Sequence, residues 1–342
     1  MTPDGLNGAH AVSRRESRIL VIRGGAIGDF VLTLPAIGLL RDGFPNARIE
    51  LLGYPHIASL AEGRYYVDRV RSIEYGPMSG FFAKNAELNA ELSEYFAGFQ
   101  QVVSFLFDPD GIFEANVRRC GVRNFMPAFR RPSGVHAARE WAAPLESLAL
   151  YLQDPAAKLF PTEDDRSAAL AWFEENAGAG GSGRKRGMRF AIHPGSGSSK
   201  KNWSVQKWGV LGLGLIDAFP EAELILVGGE ADGDALQKIK QCWPADRFRE
   251  ARDLALPLLA AILRECDFFC GHDSGVSHIA GAVGVRSLLL FGPTDPLVWA
   301  PANSTVRVVV APGGSLEHLS ESEVQAVLWE LISDSGLGEA RL

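Results

Sequence analysis

Residues 270–296 read CGHDSGVSHIAGAVGVRSLLLFGPTDP, and the fold is decided there. An apolar strand at 267–270 runs into a turn of small residues, Gly271-His272-Asp273-Ser274-Gly275. A helix of small residues follows at 276–283. A second apolar strand at 287–291 then ends in Gly292-Pro293-Thr294-Asp295-Pro296. Strand, turn, helix and strand make a βαβ unit with polar groups at the carboxyl ends of both strands, the edge where open α/β sheets bind ligands. The Ser/Gly turn also leaves the first amides of the helix open, which suits a phosphate.

Working outward, the same alternation covers the rest of the chain. Strands are expected at 189–193 and 223–227, closed by Pro194-Gly195-Ser196-Gly197 and Gly228-Gly229-Glu230, and a last one at 306–310. Helices are expected at 205–219, 232–241, 258–264 and 320–332, where Ser320 and Glu323 fit a capping box. Nearer the start, RILVIR at 18–23 is a buried strand closed by Gly24-Gly25-Ala26-Ile27-Gly28-Asp29. The helix at 30–40 carries Phe30, Leu34, Ile37 and Leu40 on one face. Pro35 predicts a kink or break in it. Further strands are expected at 48–52, 70–73 and 102–105, with helices at 57–61, 87–96, 140–152 and 165–176. The stretch 108–139 is irregular and arginine-rich. Such alternation predicts parallel sheets covered on both faces.

The glycine-rich segment 177–187 is the most linker-like of the chain. The expected organisation is a disordered lead (1–17), a first doubly wound domain (18–176), the linker, a second such domain (188–319), and a terminal helix and tail (320–342). The two domains face each other across a cleft.

Composition narrows the function. The 342-residue chain is 46% hydrophobic and 22% charged, an ordinary globular balance, long enough for two cores. Its net charge of −7 argues against a protein that coats nucleic acid. Cys120, Cys242, Cys266 and Cys270 form no CxxC pair and read as reduced thiols of a cytoplasmic protein. No signal peptide and no membrane span are expected, so any membrane contact is peripheral.

Four strand-end loops carry candidate chemistry. RGGAIGD at 23–29 resembles a dinucleotide fingerprint, but Arg23 stands where its first glycine belongs and Glu50 falls inside a strand. Asp29 there is either a helix N-cap, which spacing favours, or a general base at the cleft. HPGSGSSKKNW at 193–203 offers open amides and two lysines to a diphosphate, or is a solvated loop. Trp203 and Trp208 read as packing anchors. Glu230 could take ribose hydroxyls, or merely favour a helix start. His272, Asp273 and His278 invite a metal, but no further ligands are evident, so structural histidines or a phosphate contact fit better. The arginines at 118, 119, 123, 130, 131 and 139 form either a solvated surface or a basic lip for an anionic acceptor.

Taken together, RGGAIGDFVLTLPA, HPGSGSSKKNWS and DSGVSHIAGAVGVRSLLLFGPTDP resemble the ADP-heptose:lipopolysaccharide heptosyltransferases, in the same order and over nearly the whole chain. The resemblance implies the GT-B fold, two Rossmann-like domains about a cleft. It implies an inverting, metal-independent transfer of heptose from ADP-heptose to a lipopolysaccharide-core-type sugar, without a cofactor. Asp29 matches the base. Ser196, Gly197 and Lys201 match the loop at the donor phosphates, and Glu230 the ribose acid. Leu254 lies near the adenine position. Asp273, Ser274, Gly275 and His278 match the donor-binding turn, with Thr294 and Asp295 beside them. Two departures stand out: Ser204 follows Trp203 where the family often has proline, and Ser196-Gly197 replaces a pair of hydroxyl residues. Nothing in 108–139 aligns, so Arg118, Arg119 and Arg123 are acceptor candidates from charge alone. A cytoplasmic monomer is expected, working on an anionic glycolipid or oligosaccharide at the inner membrane face. A GT-B nucleotide-sugar epimerase and a non-catalytic nucleotide-sugar-binding paralogue are the alternatives.

Overall fold

A computed structural model describes residues 17–176 and 187–336. The expected lead and linker lie almost wholly outside these residues. The first half forms a five-stranded parallel sheet from β1 (Arg18–Arg23), β2 (Arg48–Gly53), β3 (Arg69–Ser72), β4 (Gln101–Ser104) and β5 (Phe125–Pro127), in the order β3-β2-β1-β4-β5. Its helices are α1 (Ile27–Gly43), α2 (Pro55–Ala58), α3 (Ala90–Ala97), α4 (Ile112–Arg119), α5 (Ala137–Ala142) and α6 (Glu163–Glu175). The second half forms a six-stranded parallel sheet from β6 (Arg189–Ile192), β7 (Glu223–Gly228), β8 (Phe248–Arg252), β9 (Phe268–His272), β10 (Arg286–Phe291) and β11 (Val306–Val310), in the order β11-β10-β9-β6-β7-β8. Between them run α7 (Val205–Ala218), α8 (Gly233–Lys240), α9 (Leu256–Arg264), α10 (Gly275–Val283) and α11 (Pro296–Trp299), and α12 (Glu321–Ser333) follows.

Each sheet reverses its winding once. The reversal lies between β1 and β4 in the first and between β6 and β9 in the second, and such switch points are where doubly wound sheets hold ligands. The pleat sorts the core. On β1, Leu20 and Ile22 point to Phe81, Phe96 and Phe113, while Ile19 and Val21 point to α1. On β6, Phe190 and Ile192 face the outer layer with Leu211 and Leu328, and Ala191 faces the other way. The inward layers of both halves merge into one apolar cluster.

The halves are joined by more than apolar contact. Helix α1 packs on α10, and α6 packs on α9, where Arg166 reaches Glu265 at 3.5 Å. Leu159 N–H donates to Ala282 O at 2.9 Å, Asn303 Nδ2 to Ala157 O at 2.9 Å, and His136 Nε2 lies 2.8 Å from Ala300 O.

Three expectations are corrected and one strand is added. Helix α1 runs through Pro35, which is buried in it, so the expected alternative of a break at that residue does not occur. The helix expected at 140–152 ends as α5 at Ala142 and passes into a 3₁₀ segment, Ala143–Leu148, because Pro144 cannot donate to the preceding turn. The stretch 108–139 is partly regular: α4 buries Phe113, Asn116 and Val117, and β5 closes the sheet edge. Strand β8, FREAR, escapes a hydrophobic reading because it is an edge strand rich in charge.

Candidate active site

At the first switch point β1 ends and the chain turns through Gly24-Gly25-Ala26 into α1. Gly25 has φ of 95°, so the backbone conformation favours glycine, and a Cβ on it would crowd Asp29 Oδ2 at 3.0 Å. Asp29 is the third residue of α1 and not its N-cap, which is Ala26. Its Oδ2 accepts from Ala26 N–H at 3.3 Å, and a carboxylate in the first turn is favoured by the helix dipole. Beneath it lies Arg23. The guanidinium donates to Phe105 O at 3.2 Å, lies 4.4 Å over the Trp141 ring, and comes within 3.8 Å of Asp29 Oδ1. Burial lowers its pKa to about 10 against the opposing pull of Asp29, so it remains a cation at neutral pH.

The second switch point is built on β6 and β9. Strand β9 ends at His272, and Ser274 caps α10 by accepting from Ser277 N–H. Asp273 is held by two donors: Lys201 Nζ at 2.6 Å and Thr294 Oγ1 at 2.8 Å, both on its Oδ2. Ser196 Oγ donates to Asn202 Oδ1 at 2.6 Å, which pins the Gly195–Lys201 loop from within. His272 is structural. Its Nε2 accepts from Trp203 N–H at 2.7 Å and from the Trp208 indole at 3.3 Å, and its Nδ1 faces Gly195 O at 3.3 Å. Full burial pulls its pKa down to about 3, so the ring is neutral.

A second chain of contacts supports this floor. His193 sits between Asp232 (Nε2 to Oδ2, 3.2 Å) and Ser274 (Nδ1 to Oγ, 3.2 Å). Burial pushes the Asp232 carboxyl up, but the bonds from His193 and from Gly229 N–H outweigh it and hold it below the usual range. A Cβ on Gly195 would collide with Asp232 Oδ1 at 1.7 Å, so the turn after β6 can close over this carboxylate only as glycine.

The walls meet at His278. A Cβ on Gly28 would lie 2.9 Å from His278 Cδ2, and one on Gly275 would lie 2.6 Å from Ile27 Cβ. The amino ends of α1 and α10 therefore converge on one point, where their dipoles favour an anion. Burial lowers the His278 pKa to about 4, opposed first by Asp273 and then by Asp29. The imidazole thus stands between an acid of each half, and its Nδ1 is buried without a partner.

The matching family is glycosyltransferase family 9 (heptosyltransferase), whose model spans residues 130–326. The chain belongs to that family. It is a glycosyltransferase with the GT-B fold. Among solved structures, a family 9 glycosyltransferase from Veillonella parvula DSM 2008 shares 17% identity at a TM-score of 0.76, over 93% of this chain and 97% of that one. E. coli ADP-heptose lps heptosyltransferase II shares 18% at a TM-score of 0.74, over 93% and 99%. E. coli heptosyltransferase WaaC, solved with ADP, shares 18% at a TM-score of 0.67, over 92% and 99%. No curated protein matches the chain in sequence.

In this family 9 glycosyltransferase the structure gathers Asp29, Ser196, Lys201, Asp273, Ser274, Gly275, His278 and Thr294 around the two switch points. Gly197 sits in the same loop and faces open space. Glu230 and Leu254 follow β7 and β8 on the same sheet edge, the first exposed and the second half-buried. Asp295 acts locally, as the cap of α11, where its Oδ1 accepts from Leu297 N–H at 2.9 Å. Arg118, Arg119 and Arg123 do not join the site. Arg118 is occupied by Glu114 and the carbonyls of Arg123 and Phe125, and Arg119 by Asn116 and Ala86 O. Arg123 is exposed on the turn after α4. Sequence reasoning missed Arg23, taken only as a misfit to a glycine motif, and the His193–Asp232 pair, whose members lie 39 residues apart. Among the described residues no group of His, Cys, Asp and Glu side chains is arranged to hold a metal ion, and no helix is long and apolar enough to cross a membrane.

Proposed function

We propose that this enzyme transfers heptose, or a closely related sugar, from ADP-heptose to a hydroxyl of a glycan of the lipopolysaccharide-core type, with inversion, at the cytoplasmic membrane face. The observation that carries the reading is the pairing of Asp29 on one wall with the Lys201–Asp273–Thr294 cluster on the other, about the converging ends of α1 and α10. Two E. coli relatives, an ADP-heptose lps heptosyltransferase and a heptosyltransferase solved with ADP, favour this donor. Asp29 takes the proton of the acceptor hydroxyl as it attacks the anomeric carbon, and the buried Arg23 holds a positive charge beneath the carboxylate. The C–O bond to the diphosphate breaks as the new bond forms. An ammonium has three donors, and Asp273 takes one of Lys201's, which leaves two for the departing diphosphate. The open amides at the start of α10 stabilise the same charge.

The test is turnover with ADP-, GDP- and UDP-sugars, read by product mass and anomeric configuration. An acceptor heavier by one heptosyl unit, with inverted configuration and only with ADP-heptose, is the expected result. An altered free sugar formed without acceptor would replace this reading with an epimerase.

A further inference from the structure

We infer that the acceptor residue bound beside Asp29 is a neutral pyranoside seated on aromatic rings, and not a phosphorylated or carboxylated sugar; the inference rests on the glycosyl-transfer reading above. A cavity of about 440 Å³ opens at the carboxyl edge of the first sheet, with Asp29 in its lining. That volume falls within the range of about 300–1,000 Å³ usual for small-ligand sites. Segments following all five strands contribute to its wall. Tyr54, Phe82, Phe105, Phe107 and Phe129 supply rings. Phe107 is 62% exposed and Phe82 48%, unusual for phenylalanine, and Phe107 meets Phe129 edge-on with centroids 5.3 Å apart. The C–H face of a pyranose is the kind of apolar surface that such rings accept, since their π-faces are electron-rich.

Charge excludes the alternative. The charged side chains in the lining are Arg23, Asp29 and Glu74. Arg23 cannot reach a ligand: its Nε and Nη2 are buried, its Nη1 is bonded to Phe105 O, and its charge is offset by Asp29. Arg118, Arg119 and Arg123 are absent from the lining, as are Arg130 and Arg131. A phosphate or carboxylate on the acceptor would therefore face the Glu74 carboxylate, with the Asp29 charge balanced from beneath by Arg23, and, among the described residues of the lining, no accessible cation, a juxtaposition that repels.

Saturation-transfer NMR on the full chain, with methyl α-mannopyranoside and methyl α-glucopyranoside and their 6-phosphates, each with and without ADP, tests this. The neutral glycosides should bind and the 6-phosphates should bind at least about threefold more weakly. Phe107→Ala, at an exposed position, should weaken the neutral glycosides at least about fivefold and leave ADP affinity unchanged. Glu74→Gln should strengthen the 6-phosphates. Equal or tighter binding of the 6-phosphates to the wild type, no binding of any glycoside, or indifference to Phe107→Ala would overturn the inference. Failure of ADP to bind while the glycosides bind as expected would count against the donor assignment alone.

Discussion

Gly28 on α1 and His278 on α10 touch across the cleft, close enough that a Cβ on Gly28 would stand 2.9 Å from the imidazole Cδ2. The contact is possible only because one partner has no side chain. It sets how near Asp29, one residue on, can come to the Asp273 cluster, and it shuts His278 away from solvent. Gly275 against Ile27 repeats the arrangement from the other side.

Gly28→Ala is therefore expected to act on the cleft rather than on the helix. Alanine at a helical position improves propensity by up to ~1 kcal/mol, so α1 itself should not suffer. The imidazole must move, and the walls with it. We expect kcat to fall roughly 10-fold or more, since small misplacements of reacting groups are costly. Steady-state kinetics beside a thermal melt separate the two effects; an unstable protein with normal kcat would refute this view of the contact.

Asp29→Asn keeps the shape of the carboxylate and removes its basicity. A general base contributes about 10²–10⁴-fold, and kcat should drop in that range. ADP affinity, measured by calorimetry, should hold. Wild-type turnover would strip Asp29 of the role.

Lys201→Met removes one of the two donors on Asp273 and the cation expected at the diphosphate. A charge-assisted hydrogen bond contributes about 1.5–3 kcal/mol, so ADP affinity should weaken roughly 10- to 100-fold. Thr294 still holds Asp273 at 2.8 Å, so the fold should survive. Unchanged ADP binding would place the diphosphate elsewhere.

Stability should fall on mild acidification. Burial depresses His278 to about 4 and His272 to about 3, against about 6.5 for an unfolded histidine. Between those values the unfolded chain binds protons that the folded chain does not. The stabilising contribution of the neutral rings is thus complete above about pH 6.5 and declines as pH falls toward 4. Melting temperatures should drop between pH 6.5 and 5, with net proton uptake on unfolding. A flat profile there would mean that the rings protonate in the folded state.

Arg123→Glu reverses a charge that sequence alone assigns to an anionic acceptor. The side chain is exposed and outside the cavity lining, so the acceptor KM should change by less than about twofold. A severalfold rise in KM would return the arginine-rich turn to the acceptor site.

Much of the fold was legible in sequence because apolar period and glycine punctuation are local signals. RILVIR, HPGSG and the turn Gly271–Gly275 marked β1, β6 and β9 to within a residue or two, and family motifs singled out Asp29, Lys201 and Asp273. Edge strand β8 and helix α4 were lost because charge masked their short apolar faces. Spacing suggested Asp29 as an N-cap, but Ala26 holds that place and Asp29 stands inside the first turn, because the helix begins at Ile27.

What the sequence by itself determined is the alternation of strand and helix and the chemistry of the loops at strand ends. The tertiary structure decided which of those loops meet. Sheet order is set by crossovers and long-range packing, which local periodicity does not encode. Only the order β3-β2-β1-β4-β5 puts Phe105 and Phe107 beside the Asp29 turn, and only β6 beside β9 puts His193 against Ser274. The burial of Arg23 and the enclosure of His278 depend on layers contributed by distant segments, Trp141 for one and Gly28 for the other.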